Sequence, residues 1–515
     1  MSCAWIVFSR GHRVGSGCWP AGRCPLYVLF KYFADDSLHI WIARFLVLGF
    51  VVVAASCGTS SRRASEESDG GASTDSDTHP SLVWTFGNED YDITVPRRLA
   101  DHQRWDTLPA LTLNDGYLAL PIGSLPETDG SDWSTRMIVF PEREPWNVLI
   151  GEHMEGCGYS PATRRSLRAF PGEGGFLLLA TAQRYLDDWC RLSASLWTFD
   201  AEIVGVSHGY DSSQWEDEQV FPSGFVEDDG SVVTGTLLYD DSLGAGEDPM
   251  VVFGLDRFGP DPDDHGLIFQ NSYSWSQHAE YTDSIHSSIA GTNTFHWNGE
   301  VTAVGLGSLD LVPGEEGVEY LVLARGNTSC QVTKEPEIFH SVPTSYSDDK
   351  PVHYEWSLAQ REGTFLLLEN AIWDSSDDPQ YNLEMAISSY VFSMDGNLEG
   401  GPVSLLTTHS STTYGDSEGN LMPPMAAWGG SYFGVCLYDP ASTYKFMLID
   451  QDGKMLKEPA PIFWDIPAAM FYPHACDIVA LDDHSFAIVV TAASEEGSPS
   501  EPGVWVAYVD AEPVE

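Results

Sequence analysis

From residue 81 onward, a pair of sequence patterns typical of β-strands recurs about every sixty residues. The first signal is a turn that leads into an apolar strand, as in DGYLAL at Asp115. Its turn residues follow one another at intervals of 59, 55, 69, 64, 67 and 53 residues. They are Gly116, Gly175, Gly230, Gly299, Gly363, Gly430 and Asp483. Self-similarity at this period indicates a series of equivalent structural modules.

The second signal is an apolar strand, often ending in Asp, that usually follows the first by 20 to 30 residues. It occurs as RMIVFP at Arg136, SLWTFD at Ser195, MVVFGLD at Met250, YLVLA at Tyr320, YVFSMDG at Tyr390, KFMLIDQDG at Lys445 and VWVAYVD at Val504. Short apolar runs alternate with Gly, Asp and Pro turns throughout, and no long amphipathic helix pattern follows residue 81. The chain is therefore predicted to be all-β.

Several strands per unit at this period predict a β-propeller, in which each blade is a four-stranded sheet. We predict seven blades over residues 81–515, at about 62 residues each. Six or eight blades, or tandem β-sandwiches, are the alternatives. The last repeat ends five residues after Asp510, so an N-terminal segment is expected to complete the last blade and cover its edge. SLVWTF at Ser81 and LPALTLN at Leu108 are the candidate segments.

Composition excludes two classes of protein. With 76 acidic against 25 basic side chains and a formal charge of −51, the chain lacks the clustered Lys and Arg that nucleic acid binding needs. With 43% hydrophobic and 12% aromatic residues, it can bury a sizeable core, which excludes wholesale disorder.

An export signal is predicted near the N-terminus. Residues 45–53 (FLVLGFVVV) follow Arg44 and precede the tetrapeptide AASC, which ends at Cys57. A basic flank, a short apolar run and small residues are typical of a secretory signal peptide, and the run is too short to span a bilayer. The segment resembles the lipobox of bacterial lipoproteins, with Ala54 where that family usually has Leu. The resemblance implies cleavage before Cys57, lipidation of its sulfur, and, because Gly58 follows, delivery to the outer membrane or cell surface.

The expected organisation has three parts. Residues 1–56 form the signal region, and residues 1–37 are expected to reflect a wrongly assigned start codon, because signal peptides begin their chains. Residues 57–80 are rich in Ser, Gly, Asp and Glu and predict a flexible acidic tether for a propeller at 81–515. Removing the signal region, with five bases and two acids, takes the formal charge from −51 to −54, so lipid and not basic residues would provide the membrane anchor.

The loop between the two signals of each repeat is acidic, and most of these loops also hold aromatic residues. The residues are Asp129, Asp132 and Trp133; Asp187, Asp188 and Trp189; Tyr239, Asp240 and Asp241; Asp310, Glu315 and Glu316; Trp373, Asp374, Asp377 and Asp378; Tyr438 and Asp439; and Glu495 and Glu496. If the repeats are blades, these loops share one face of the ring. Carboxylates beside exposed rings suit glycans, cationic groups or calcium. Ordinary polar hairpin loops in an acidic protein are the other interpretation.

Catalytic and cofactor motifs are absent from the sequence. It has no G-x-S-x-G, H-E-x-x-H or Walker A motif, and no sialidase Asp-box, WD40 or kelch signature. Asp450-Gln-Asp452-Gly453 begins like a calcium loop but lacks the later ligands, which favours a hairpin turn. No cofactor is identified, the metal content is left unknown, and calcium is the one candidate ion.

Besides Cys57, five cysteines follow the signal region, an odd number that leaves at least one outside an intramolecular disulfide. They are Cys157, Cys190, Cys330, Cys436 and Cys476. Cys157 with Cys190, and Cys436 with Cys476, are the candidate pairs, although distance along the chain confirms neither.

These observations favour a lipid-anchored binding or scaffolding module at the cell envelope, with a glycan or protein partner. One alternative is a carbohydrate-active enzyme, a glycoside hydrolase or lyase, with two carboxylates about 5 to 9.5 Å apart near the propeller axis. The other is a structural envelope protein with no small ligand.

Overall fold

The computed structural model of the chain describes residues 82–88, 91–100, 110–124, 134–154, 167–183, 190–211, 223–240, 250–260, 267–278, 293–307, 319–342, 353–374, 383–410, 424–439, 444–463, 471–492 and 503–511. All of them belong to His79–Glu515, one of the two units into which the chain divides. They form strands and turns, and they contain no helix of the length and apolarity that crossing a membrane requires. The predicted signal region, Cys57 and the predicted tether lie outside the described residues.

The described strands fall into a short N-terminal group and a series of blades. The N-terminal strands are β1 (Trp84–Asn88), β2 (Tyr91–Thr94) and β3 (Arg97–Ala100). Blade 1 contains β4 (Thr112–Asn114), β5 (Tyr117–Ser124), β6 (Ser134–Pro141) and β7 (Leu149–Met154). Blade 2 contains β8 (Leu167–Gly172), β9 (Gly175–Gln183), β10 (Cys190–Thr198) and β11 (Ile203–Asp211). Blade 3 contains β12 (Ser223–Val226), β13 (Val232–Asp240), β14 (Met250–Pro260) and β15 (Leu267–His278).

Blade 4 contains β16 (Asn293–Trp297), β17 (Glu300–Gly307), β18 (Glu319–Asn327) and β19 (Val332–Val342). Blade 5 contains β20 (His353–Arg361), β21 (Thr364–Asp374), β22 (Leu383–Ser393) and β23 (Leu398–Ser410). Blade 6 contains β24 (Met425–Trp428), β25 (Phe433–Tyr438), β26 (Tyr444–Ile449) and β27 (Met455–Pro461). Blade 7 receives β28 (Phe471–Ala480), β29 (Ser485–Ala492) and β30 (Gly503–Ala511) from the C-terminal part.

The seven antiparallel sheets are the blades of a β-propeller, which confirms the predicted fold class and blade number. In each blade the first predicted signal spans the turn between the first and second strands, and the second signal is the third strand. Glycine with positive φ serves most of these turns, as at Gly116 (φ 77°) and Gly299 (φ 77°). In blade 2, however, Gly174 (φ 69°) and not the predicted Gly175 has the positive φ.

The antiparallel order gives the ring two sides. On one side, turns join the first strand of each blade to the second and the third strand to the fourth; we call this side the turn face. On the other side, loops join the second strand to the third; we call this side the loop face. Each predicted acidic loop joins the second to the third strand of its blade, so the strand ends that these loops connect are equivalent in the seven sheets.

Blade 7 is completed by the N-terminal segment, as expected, and one of the two candidate stretches takes part in its sheet. β2 and β3 pair with β30, and β1 is added outside β2. The stretch SLVWTF falls on the outermost strand β1, whereas LPALTLN contains β4, the first strand of blade 1. The strand that joins β1 to β30 is β2, and its Tyr91 and Ile93 alternate inward and are buried against blades 6 and 7.

The hydrophobic core lies between neighbouring blades, because each sheet presents alternate residues to its two neighbours. In β21, Leu366 and Leu368 pack toward blade 6, while Phe365 and Leu367 pack toward blade 4. Further clusters join blade 1 to blade 2, blade 2 to blade 3, blade 6 to blade 7, and blade 7 to blade 1. At the junction of blades 3 and 4, the ring of Phe225 stacks on that of His296.

The predicted disulfide between Cys436 and Cys476 is present, with a Cα–Cα distance of 6.4 Å. It joins β25 of blade 6 to β28 of blade 7 within their shared core. Cys157 lies outside the described residues, so the other candidate pair stays a prediction.

Candidate functional site

The predicted ligand-binding residues lie at or beyond the loop-face ends of second strands. Asp240 is the last residue of β13, and Trp373 and Asp374 are the last two of β21. Tyr438 ends β25, and Asp439 follows it. The remaining members lie outside the described residues: Asp132, Trp133, Asp188, Trp189, Asp241, Asp377 and Asp378. The structure therefore gives the strand positions of Asp240, Trp373, Asp374, Tyr438 and Asp439, and it describes side-chain contacts for the last two.

Asp439 is buried and is paired within its own blade. Its Oδ2 lies 2.5 Å from Nζ of Lys445, which stands at the start of the next strand. Beside it, the half-buried Tyr438 ring packs edge-on against Tyr444 at 5.2 Å between centroids. Burial, with a smaller contribution from Asp439, raises the pKa of Tyr438 to about 12. This member of the acidic loop set holds the end of a hairpin together, with a lysine that sequence patterns did not connect to it.

A second buried polar group lies between blades 4 and 5. His340 of β19 contacts the Glu369 carboxylate of β21 through its Nε2 atom, and its ring lies 4.8 Å from that of Tyr390. Burial and then the charge of Glu369 raise the pKa of Tyr390, which keeps the phenol neutral. Glu369 is 7% exposed, so the group serves as an internal contact between two blades.

Arginines near the turn face join neighbouring blades. Arg257 of blade 3 pairs with Glu227 of its own blade, and its Nη1 donates to the backbone oxygen of Thr328 in blade 4 at 2.8 Å. Arg325 of blade 4 pairs in the same way with Asp395 in the turn of blade 5. In both cases the cation comes from the third strand and reaches the turn of the following blade.

The junction of blades 7 and 1 has the opposite polarity. Asp510 on the third strand of blade 7 supplies the acid, and Arg143 in the turn of blade 1 supplies the cation, with Nη2 3.3 Å from Oδ1. Arg143 also lies 3.5 Å from Oδ2 of Asp482 in blade 7. Several of the chain's few basic residues thus serve as contacts between blades on the turn face.

A cavity of about 480 Å³ opens between blades 2 and 3. Phe170, Gly172 and Glu173 line it from the end of β8 and its turn. The chain from Gly224 to Asp228 lines it from blade 3, together with Gly230. All these residues lie at the end of a first strand or in the turn that follows, so the cavity lies at the turn face.

Metal ligands are not gathered in the described part of the chain, where no group of three or more His, Cys, Asp or Glu is placed to hold an ion. The calcium-like stretch at Asp450 forms the hairpin turn favoured from sequence. Oδ1 of Asp450 accepts hydrogen bonds from the backbone N–H groups of Asp452 (2.9 Å) and Lys454 (2.8 Å).

Comparison with known proteins adds no family. No protein-family model matches the chain, and no curated protein matches it. Solved structures with a similar arrangement include the polysaccharide lyase Uly1, at 10% identity and a TM-score of 0.41, covering 85% of this chain and 94% of the lyase. The α-L-arabinofuranosidase Arb93A from Fusarium graminearum is 11% identical with a TM-score of 0.39, covering 68% of this chain and 94% of that enzyme. The Dos1 propeller is 10% identical with a TM-score of 0.37, covering 80% and 94%. At these levels the likeness carries no argument about ligand or activity.

Sequence reasoning missed the cavity and the His340–Glu369 contact. The His340–Glu369 pair joins two different blades, and no spacing in the sequence predicts it. The cavity did leave a signal, because β8 ends in Gly172 whereas β4, β16 and β20 end in Asn114, Trp297 and Arg361. Aligning the ends of the first strands would have exposed this difference.

Proposed function

We propose that this chain is an exported, lipid-anchored β-propeller that acts as a binding or scaffolding module at the bacterial envelope, through the loops that join second and third strands. The observation that carries the binding part is the equivalence of these loops: all seven connect the same two strands of their blades. Equivalent loops of a propeller leave its sheets on one side. We therefore assign the acidic and aromatic residues of these loops to one surface, except Asp439, which is buried and paired with Lys445.

The turn face also carries acids, but several of them are paired across blades, as Asp395 is with Arg325 and Asp510 is with Arg143. In the acidic loops, acids follow one another in the sequence, as Asp377 and Asp378 do, and Trp373 is close to them in the chain. Such a surface favours partners with cationic or hydroxyl groups, and calcium between carboxylates.

The binding proposal is tested with glycan arrays and with thermal melting in the presence and absence of calcium. We expect glycan binding or a calcium-dependent rise in Tm for the wild type, and loss of that signal when Asp132, Asp188, Asp240 and Asp374 are all changed to Asn. Asp452→Asn is the matched control, because Asp452 is an exposed acid of the turn face. No array signal and no calcium effect would refute a glycan or calcium role for the loops.

Two outcomes of that test would favour the other functions. Release of shortened or unsaturated sugars from a bound glycan would favour a glycoside hydrolase or lyase. Recovery of a stable stoichiometric protein partner, with no glycan or calcium effect, would favour a structural envelope role.

The anchor is tested separately, by metabolic labelling of the full chain in a bacterial host with an alkyne fatty acid. The wild type should be labelled and should enter the detergent phase, whereas Cys57→Ser should do neither. A mature N-terminus other than an acylated Cys57 would contradict the anchor and leave the binding test unaffected.

A further inference from the structure

The ends of the first strands bridge neighbouring blades near the turn face. In blade 1, Nδ2 of Asn114 donates to the backbone oxygens of Gly172 (2.8 Å) and Gly175 (2.6 Å) in blade 2. In blade 4, the Trp297 ring lies 3.7 Å from where a Cβ of Gly363 in blade 5 would be. Each of these side chains fills the space between its own blade and the next.

Two further junctions are filled in the same region. The Arg361 guanidinium of blade 5 lies 5.1 Å from the centroid of the Trp428 ring in blade 6. Phe225 of blade 3 stacks on His296 of blade 4 at 4.7 Å. Different side chains thus perform one task, which is to occupy the gap beside the turn.

In the described part of blade 2, no side chain at the end of the first strand performs this task. Asn114 ends the first strand of blade 1 and pairs with Tyr117, the first residue of the second strand. Gly172 has the same position in blade 2, where it pairs with Gly175. Phe170, two residues earlier, faces blade 3 and packs with Val232, so a side chain at position 172 would face blade 3 as well. The 480 Å³ cavity occupies this gap.

Glycine is not required at position 172 by local packing. A Cβ there would lie 3.5 Å from the Leu177 nitrogen and 3.6 Å from the Gly175 oxygen, both ordinary contacts. At Gly434, by contrast, a Cβ would lie 2.6 Å from the Phe486 ring, which makes glycine necessary between blades 6 and 7. The missing side chain at 172 therefore leaves open space that the fold itself does not need.

The lining combines apolar surface with uncompensated negative charge. Phe170 and Val226 provide apolar surface from the two blades. Glu227 is paired with Arg257, whereas Glu173 and Asp228 are exposed and form no ion pair among the described residues. An anion would be repelled by these carboxylates, and a cation with an apolar body would be attracted.

We infer that the cavity between blades 2 and 3 is a binding site for a small organic ammonium ion. Its volume lies within the range of small-molecule sites. Carboxylates at its rim would receive the ammonium group, while the half-buried Val226 and the exposed edge of Phe170 would contact the apolar part. The site is on the turn face, so it is separate from the loop-face surface and does not rest on the function proposed above.

The test uses three probes of one skeleton: phenethylammonium, 2-phenylethanol and phenylacetate. Binding to the purified chain is measured by isothermal titration calorimetry and by saturation-transfer NMR. We expect phenethylammonium to bind about tenfold or more tightly than 2-phenylethanol, phenylacetate to give no signal, and added salt to weaken only the ammonium probe. Equal affinity for the three probes, or no binding of phenethylammonium, would overturn the inference.

Two variants locate the site. Gly172→Trp restores a side chain of the kind found at Trp297 and should abolish binding of phenethylammonium while leaving Tm close to that of the wild type. Glu173→Gln with Asp228→Asn changes only exposed side chains, and should weaken phenethylammonium about tenfold without changing 2-phenylethanol. Asp452→Asn is the control for an exposed acid of the same face. If neither variant weakens binding more than this control, the cavity is not the site.

Discussion

Blade 5 is a four-stranded sheet and blade 7 a six-stranded one, and the two are assembled from different parts of the chain. The four strands of blade 5 follow one another from His353 to Ser410, so each hairpin brings in the next strand. Blade 7 takes three strands from the C-terminal part and its outer strands from β1, β2 and β3. The ring therefore closes by contacts between distant residues, whose cost in chain entropy must be offset by specific links.

Those links are concentrated around the closing strand. Oγ1 of Thr94 accepts a hydrogen bond from the backbone N–H of Tyr508 at 2.8 Å. Tyr91 reaches beyond its own sheet into blade 6, where its hydroxyl accepts from the N–H of Leu448 (3.3 Å) and donates to the oxygen of Lys457 (3.4 Å). Blade 5 obtains the same strand order by connection alone. Four predictions test this difference.

The largest effect is expected from the disulfide between blades 6 and 7. Changing Cys436 and Cys476 to Ala should lower the free energy of unfolding by about 2–4 kcal/mol, because the bond closes a 40-residue separation and constrains the unfolded chain. Urea denaturation followed by tryptophan fluorescence measures it. Cys330→Ala, at a buried cysteine of blade 4, is the control, and a double variant no less stable than this control would contradict the prediction.

The next effect concerns the junction of blades 7 and 1. The buried Asp477 carboxylate accepts from the backbone N–H of Leu111 at 2.6 Å. Asp477→Ala should therefore cost about 1–3 kcal/mol, because it leaves that N–H buried without its acceptor. Asp450→Ala removes hydrogen bonds from an exposed turn of blade 6 and should cost about 1 kcal/mol or less. If the two variants lose the same unfolding free energy, the hydrogen bond between blades 7 and 1 stabilises the protein no more than an exposed turn does.

A smaller effect is expected from the hydroxyl of Tyr91. Tyr91→Phe keeps the edge-on contact with Phe446, 5.2 Å between centroids, and removes only the long hydrogen bonds to blade 6. The expected loss is about 0.5–1.5 kcal/mol in the same urea experiment. Tyr117→Phe is the control, because its ring stacks on Phe199 and its hydroxyl has no partner among the described residues. If the Tyr91 variant is as stable as this control, apolar packing of the ring, and not its hydrogen bonds, holds β2 in blade 7.

The smallest effect is a pH dependence at Asp482. Burial raises the pKa of its carboxyl, but hydrogen bonds from His484 and Ser485, with help from Arg143, outweigh it and hold the pKa below the usual 3.8. Because the pKa of Asp482 is lower in the folded protein, its ionised carboxylate stabilises the fold above pH 3.8. This stabilisation is lost as the pH falls through the pKa of the folded state. Asp482→Asn should therefore show a shallower decline in unfolding free energy on acidification. If the unfolding free energies of variant and wild type fall with pH in parallel, Asp482 does not stabilise the junction of blades 7 and 1.

Much of the fold was readable because its signals are local. A glycine turn and an apolar third strand recur in most blades, and both depend on residues close in sequence. SLVWTF supplies only the outer strand β1, and LPALTLN belongs to blade 1. The strands β2 and β3 were not predicted, because the hydrogen bond between Thr94 and Tyr508 depends on packing across the ring. The candidate loops were readable as a periodic set, whereas the partners of Asp439 and Glu369 were not, since Lys445 and His340 meet them only in the folded sheets.

Local sequence was enough for the all-β class, the sevenfold repeat and the place of each acidic loop within its unit, because hydrophobic alternation and turn chemistry act over a few residues. Tertiary packing was needed to show which N-terminal strand closes blade 7, which arginines join which blades, and where a space remains open. Gly172 shows the physical reason. A glycine at a strand end is ordinary along the chain, and it opens a cavity only because blade 3 stands beside it.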